Sequence, residues 1–325
     1  MNNNIVIIGA GQLGSRHLQA LKKVKNNLNI TVVDNNESSL KISKERYEQI
    51  QSGMSDHKVE YTTEISSLNE DIAVAIIATG SGSRRNVIET LYDKCDVKYM
   101  VLEKWLFRYT EDFSIVQQLI DKHDTKAWVN CTMRMMPYYK EVKDKLKDAP
   151  MLYSVVGGDY GFITNLIHYV DYLMFLNNTP KFHVITDGLI PKIIRSKRDG
   201  YYEMHGSLSI ICENGSVGQF TEFENSNLPP TSSITNSKMR LDIDEINGVS
   251  QMRSIANGFS KESSSFRIPF QSELTTVLVE ELLNDGTCDL PTFKESSYTH
   301  ITLMESILSF IKKYNLYDEK GFIFT

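Results

Sequence analysis

The sequence predicts two domains: a doubly wound parallel α/β domain, then an α+β domain with a mainly antiparallel open sheet. Three observations carry this reading. Short, continuously apolar runs alternate with helical patterns up to residue 129, as expected for parallel strands buried on both faces. Beyond that point the runs alternate apolar with polar, the pattern of strands with one solvated face. A chain of 325 residues also exceeds what one hydrophobic core usually holds. The expected division is 1–129 and 130–325, with a final helix over 293–314 able to pack back on the first domain.

Ile5-Val6-Ile7-Ile8 is the first strand, followed by a glycine turn and a helix over 13–24. Residues 30–33 form the second strand, and Asn35, Asn36 and Ser38 open a helix over 38–51. A weak third strand covers 59–61 and a strong fourth 74–78, with a helix over 85–94 behind it. A fifth strand at 99–102, a helix at 111–123 and a sixth strand at 127–129 complete the first domain. In the second, alternating strands are expected over 152–157, 182–190, 203–212, 217–224 and 238–246, with Asn214-Gly215 as a hairpin signal. Helices are expected over 165–176 and 271–283, the last helix follows Pro291, and 225–236 reads as a loop.

Composition narrows the function. Hydrophobic residues at 41% and charged residues at 23% describe an ordinary globular protein, and a net charge of −6 argues against a nucleic-acid partner. The longest apolar run, 72–78, is far short of the ~20 residues that cross a bilayer, so no membrane partner is expected. Residues 1–4, Met-Asn-Asn-Asn, lack the basic start of a signal peptide. Cys95, Cys131, Cys212 and Cys288 are too scattered for a metal site, and reduced thiols in the cytoplasm are expected.

Gly9-Ala10-Gly11-Gln12-Leu13-Gly14 follows a strand and opens a helix. Gly9 permits the tight turn, Gly11 lets backbone approach a pyrophosphate, and Gly14 lets helix and strand pack closely. The helix N-terminus then offers free N–H groups to the anion. Asp34, twenty residues past Gly14 at the end of the second strand, can hold both ribose hydroxyls. Its charge would repel a 2′-phosphate, and no Lys or Arg follows before Lys41, so NAD is expected rather than NADP. This is the dinucleotide-binding Rossmann pattern.

Over essentially its whole length the chain also resembles the glucose–fructose oxidoreductase/inositol dehydrogenase family (Gfo/Idh/MocA). The resemblance runs through Gly9 to Gly14 with Ser15-Arg16-His17, Ile76-Ile77-Ala78-Thr79, Glu103-Lys104, the segment 130–137 and Ile167-His168-Tyr169-Val170-Asp171. A narrower likeness, to homologues in bacterial capsule, lipopolysaccharide and nonulosonic-acid pathways, rests on GFITNLIHYVD at 161–171 and on Ser196-Lys197-Arg198. The family resemblance implies an NAD-dependent oxidoreductase acting on a sugar, sugar nucleotide or sugar acid. It implies cofactor contacts from Gly9, Gly11, Gln12, Leu13, Gly14, Asp34, Thr79, Gly80, Glu103 and Lys104. Lys104 and His168 become the catalytic pair, with Thr164, Asn165 and Asp171 as a relay. Substrate contacts are expected from Trp105, Arg134, Tyr138, Asn165, Lys197 and Arg198, and no metal is implied.

Chemistry supports these roles. Lys104 stands where the C-terminal end of a parallel strand meets the cofactor crevice, and its ammonium can stabilise an alkoxide; the plainer reading is a pair with Glu103. Thr164, His168 and Asp171 fall on one helix face, and an imidazole suits proton exchange near neutrality. Arg195, Lys197 and Arg198, if not a solvated face, suggest an anionic substrate.

The chain departs from the family at three places. Thr164 stands where an Asp is usual, Trp105 follows Glu103-Lys104 where Pro is usual, and Arg84 replaces a histidine after the fourth strand. Trp105 is expected to stack on nicotinamide or sugar. Arg84 either meets a phosphate or caps a helix in solvent. Two alternatives remain open: a reductase of another carbonyl or imine, and a non-catalytic NAD-sensing regulator. The family resemblance further implies a homodimer or homotetramer formed through the open sheet.

Overall fold

The structure, a computed structural model, describes residues 3–51, 53, 55–68, 71–146, 149–179, 181–196, 200–317 and 321–324. It divides into two units, Met1–Asn130 with Pro269–Ser296, and Cys131–Ile268 with Ser297–Thr325.

The first unit runs β1 (Asn4–Ile8), α1 (Gln12–Leu21), β2 (Asn29–Val33), α2 (Glu37–Glu48), β3 (Lys58–Thr62), β4 (Ile72–Ile77), α3 (Arg84–Tyr92), β5 (Val97–Leu102), α4 (Glu111–Lys122) and β6 (Lys126–Val129). The six strands are parallel in the order β3-β2-β1-β4-β5-β6. Every residue of β4, Ile-Ala-Val-Ala-Ile-Ile, is buried. Burying a large aliphatic side chain of this kind contributes about 1.5–3 kcal/mol, which is why continuous apolar runs become central strands. Right-handed crossovers put α1 and α2 on one face and α3 and α4 on the other. The chain leaves β1 in one direction and β4 in the other, so the crevice of the doubly wound sheet opens between their C-terminal ends.

The second unit begins with a short 3-10 turn, Thr132–Met135, then α5 (Pro137–Leu146), β7 (Met151–Gly158), α6 (Phe162–Asn177) and β8 (Phe182–Ile185). After these come β9 (Ile194–Arg195), β10 (Tyr202–Glu203), β11 (Gly206–Cys212), β12 (Val217–Phe223), β13 (Thr231–Asn236), β14 (Met239–Asp244), β15 (Val249–Ser254) and β16 (Lys261–Ser265). Eight strands form one sheet in the order β16-β15-β14-β13-β7-β12-β11-β8, antiparallel except for the β7–β12 pair. β9 and β10 form a separate ribbon. Tyr153 meets the rings of Tyr172 and Phe220, and Tyr169 stacks on Phe220, so α6 covers the inner face.

Several expectations need correction. Residues 231–236, read as loop, form β13 between β7 and β14. Thr-Ser-Ser-Ile-Thr-Asn carries one large apolar residue, Ile234, and its strand state depends on partners on both sides. β15 and the edge strand β16 carry few apolar residues and little strand pattern, β16 being Lys-Glu-Ser-Ser-Ser and fully exposed. α5 was also missed, although Pro137 at its first position is a start signal. The strand expected over 182–190 stops at Ile185, and 203–212 breaks at Met204-His205 before Gly206, whose φ is +113°.

The chain then returns to the first unit. α7 (Gln271–Asp285) packs on α1, burying Leu274, Leu278, Val279 and Leu282, and Thr276 donates to the Ala20 carbonyl at 2.8 Å. The Val129 amide donates to the Pro291 carbonyl at 3.0 Å. A continuous division at 129/130 therefore leaves out 269–296, whose apolar face is needed to cover α1. α8 (Phe293–Lys313) starts in the first unit, where Phe293 meets Phe107, and continues into the second. Among the described residues, no helix is long and apolar enough to cross a membrane.

Candidate functional site

In the first unit the glycine turn is built by three glycines with different causes. Gly9 has φ +101°, and a Cβ on it would lie 2.8 Å from the Ala78 carbonyl carbon. A Cβ on Gly14 would lie 1.7 Å from the Gly9 oxygen, so helix and turn touch there. Gly11 is different: its φ is −65°, and a Cβ would meet nothing within 4 Å. No packing within the protein demands a glycine at 11, and the bare backbone opens the approach to the start of α1. That start has no side-chain cap and no acidic residue in its first turn, while Gln12 and Leu13 are exposed. These are the conditions for an anion on a helix N-terminus.

Asp34 is drawn onto the same turn. Its Oδ2 accepts from the Ala10 amide at 2.7 Å and its Oδ1 from the Asn36 amide at 2.9 Å. The start of α2, by contrast, is already capped, because the Asn36 side chain accepts from Ser38 and Ser39 and Glu37 adds a negative charge. Thr79 and Gly80 are half-exposed, just past β4.

Glu103 and Lys104 end β5 and differ in accessibility. Glu103 is 3% exposed, and its Oε1 is shared by His17 Nε2 at 2.9 Å and Asn130 Nδ2 at 2.6 Å. Asn130 Nδ2 also donates to Gln271, and His17 Nδ1 meets the Thr275 hydroxyl at 2.8 Å, so α7 closes the network. Burial would raise the Glu103 pKa, but the His17 bond and charge, the Asn130 amide and the nearby Lys104 charge outweigh it and hold the carboxyl below its usual range. The Glu103 side chain is thus enclosed by His17 and Asn130. Lys104 is half-buried beside it.

Trp105 is fully buried, which corrects its expected stacking role: a ring without accessible surface offers none to a ligand. The peptide joining it to Lys104 is cis. Arg84 is 1% exposed and so does not cap a helix in solvent. Its guanidinium donates to the carbonyls of Thr79, Trp105 and Leu106, tying the exit of β4 to the exit of β5.

In the second unit the half-exposed residues of the first turns of α6 are Thr164, Asn165, His168 and Tyr169, with Phe162, Ile163, Leu166, Ile167 and Val170 buried. Asp171 leaves this stripe. It is 1% exposed, and both of its oxygens accept from Arg134, Oδ2 from Nε at 2.9 Å and Oδ1 from Nη2 at 2.8 Å. The expected relay carboxylate and the expected substrate arginine are each other's partner, since a buried carboxylate needs a partner for its charge. Tyr138 is buried and stacked on Phe266 with ring centroids 3.8 Å apart, a packing contact in place of the expected substrate contact. Lys197 and Arg198 lie outside the described residues, while Arg195 is exposed on β9.

A sequence pattern described as the oxidoreductase family GFO/IDH/MocA, with an NAD-binding Rossmann fold, matches residues 3–131. Over those residues the chain carries the sequence pattern of this family. Its cofactor is NAD, and the residues fit: a bare Gly11, an uncapped α1 and a carboxylate on the turn. Compared by sequence with curated proteins, the chain matches none. By structure it is similar to an oxidoreductase from Agrobacterium radiobacter in complex with NAD+, L-tartaric acid and magnesium, at 14% identity, covering 93% of this chain and 94% of the other, with a TM-score of 0.68. It is also similar to the UDP-N-acetylglucosamine 3-dehydrogenase of Acidithiobacillus ferrooxidans, at 12% identity, 93% and 95% coverage and a TM-score of 0.68. The transcriptional regulator Gal80p of Kluyveromyces lactis shares the fold too, at 14% identity, 96% and 90% coverage and a TM-score of 0.69. The fold therefore occurs both in proteins described as oxidoreductases and in one described as a transcriptional regulator.

Sequence reasoning missed three groups around the site. His17 was quoted without a role, and its partners Glu103 and Thr275 are 86 and 258 residues away. Arg84 stands out by its position after β4, but its carbonyl partners Trp105 and Leu106 lie 21 and 22 residues away. Glu203 and Glu222 were not singled out at all. Glu203 accepts from the amides of Ile163 and Thr164 at the start of α6, and Glu222 from the Tyr160 amide and from His205. No local spacing signals them, because both come from strands far along the chain.

Proposed function

We propose that the protein is an NAD(H)-dependent oxidoreductase that moves a hydride between nicotinamide and a hydroxyl-bearing or keto carbon of a sugar or sugar derivative. The observation that carries this is the Asp34 carboxylate, bonded to the glycine turn whose middle residue is bare without any packing reason. Gly11, Gln12 and the α1 amides would hold the pyrophosphate, and Asp34 the ribose hydroxyls. The capped, acidic start of α2 disfavours a further phosphate there, which supports NAD over NADP. When bound, the cofactor supplies the hydride acceptor or donor.

The residues of the chain manage the proton and the charge. The Lys104 ammonium donates to the substrate oxygen and stabilises its negative charge as the hydride departs. Arg84 keeps the Lys104 loop in place by tying the Trp105 and Leu106 carbonyls that follow Lys104 to the Thr79 carbonyl after β4. His168, on the accessible stripe of α6, takes up the hydroxyl proton. The protein acts as a homodimer or homotetramer.

The test is NAD(H) and NADP(H) titration, followed by NADH absorbance over a panel of sugars, polyols and sugar nucleotides. NAD(H) should bind more tightly. Lys104→Ala should lower turnover by roughly 10²–10³-fold while NAD affinity stays within a few-fold, since the ammonium acts on developing charge. Tight NAD binding with no turnover across the panel would favour a regulator.

A further inference from the structure

α6 begins without a cap of its own. Its N-cap position is Gly161, at φ +77°, which has no side chain to offer, and its first turn holds no acidic residue. Amides left unpaired at a buried helix start are costly. Two carboxylates from distant strands supply the acceptors instead. Glu203 of β10 accepts from the Ile163 amide through Oε2 at 2.9 Å and from the Thr164 amide through Oε1 at 3.0 Å. Glu222 of β12 accepts from the Tyr160 amide through Oε2 at 2.6 Å, and its Oε1 pairs with His205 Nδ1 at 2.8 Å. Both carboxylates are buried, at 6% and 2% exposure.

The strand that carries Glu203 is itself tied down. β10 pairs with β9, Glu203 opposite Ile194 and Tyr202 opposite Arg195. The Tyr202 amide also donates to the Ile323 carbonyl at 3.3 Å, and Phe322, Ile323 and Phe324 are all buried. A cap supplied by a neighbouring residue would end the helix without fixing its direction. A carboxylate rooted in β10 fixes both, because its backbone belongs to another element. The helix passes that placement on. The Asn165 amide donates to the Gly161 carbonyl at 2.9 Å, its Nδ2 donates to the Tyr160 carbonyl at 2.7 Å, and His168 follows Thr164 by one turn on the accessible stripe.

We infer that Glu203 is a positioning residue for the helix that carries His168: its two-pronged hold on the Ile163 and Thr164 amides, with Glu222 holding Tyr160, sets the direction in which α6 presents Asn165 and His168. The inference rests on the oxidoreductase reading and adds to it a residue that acts through the helix. Both Glu203 oxygens go to backbone amides, and a negative charge at this end of α6 also suits the helix dipole. Misplacing a reacting group by about 1 Å can cost on the order of 10²-fold in rate, so the effect belongs in kcat. The glycine turn and Asp34 lie in the other unit, so the affinity for NAD should not follow.

Glu203→Ala tests this by two readings. Hydrogen exchange over residues 160–168 should quicken, since two amides lose their acceptor. With a substrate found in the sugar panel, kcat should fall roughly 10–10²-fold while KM for NAD+ stays within about twofold. Added formate, compared with chloride at equal ionic strength, should restore the protection and much of kcat, because a small carboxylate can take the vacated place at the helix start. A rate recovered in a protein that is already folded is more than a purely structural role gives. Should Glu203→Ala not fold, or formate not restore protection, Glu203→Gln decides: it keeps one acceptor, and its kcat should fall roughly three- to tenfold. Wild-type kcat in either variant, or a low kcat after formate has restored protection, overturns the inference and leaves the oxidoreductase reading standing. A wild type that binds NAD and turns over nothing in the panel overturns both.

Discussion

Glu103 and Lys104 are adjacent in sequence, yet the first is sealed in a hydrogen-bonded network and the second is half-buried at the strand end. Because the folded Glu103 pKa is held below its unfolded value of about 4.3, its sign in stability is definite. As pH falls, the unfolded chain takes the proton first. The stabilisation is therefore present above the unfolded pKa and lost as pH drops through the folded one. Melting temperatures between about pH 5 and pH 3 should fall more steeply for wild type than for Glu103→Gln; parallel curves would mean the carboxylate is not held in this way. The same scale shows what residue types can mislead about. Trp105, Arg134 and Tyr138 carry chemistry suited to a ligand, but their neighbours consume it, through burial, the Asp171 pair and the Phe266 stack. Nothing within a few residues of any of them records this.

At the scale of elements, the strand–turn–helix around 9–14 separates packing from binding. Gly14→Ala would place a methyl 1.7 Å from the Gly9 oxygen, and the overlap should cost about 1–3 kcal/mol or more. Gly11→Ala, at φ −65° with open space, should leave stability within about 0.5 kcal/mol and weaken NAD binding. Thermal melts and an NAD titration on both variants check the pair; a Gly11→Ala protein with wild-type NAD affinity would show that the open space is not the pyrophosphate site. This turn was legible because its causes are local. Strand β15 and the edge strand β16 were not, since they carry little apolar pattern, and β13 became a strand through its two neighbours.

For the whole molecule, the eight-stranded sheet keeps one face buried and shows Leu152, 41% exposed, and Ile211, 36% exposed, on the other. Both pair with Val217, Leu152 from β7 and Ile211 from β11, which makes one apolar row across three strands. The protein should run as a dimer or tetramer in light scattering after size exclusion, and Leu152→Asp with Ile211→Asp should shift it to monomer without loss of the melting transition. A monomeric wild type would remove this expectation. The sequence by itself determined the parallel sheet, the glycine turn and the place of Asp34, because period-two and period-3.6 burial and backbone sterics act over a few residues. Only the tertiary structure decided which charges are spent: His17 on Glu103, Arg134 on Asp171, Arg84 on three carbonyls, and Glu203 on Thr164. Buried polar groups must find partners wherever the fold brings them, and a linear pattern does not record distances between residues far apart in the chain.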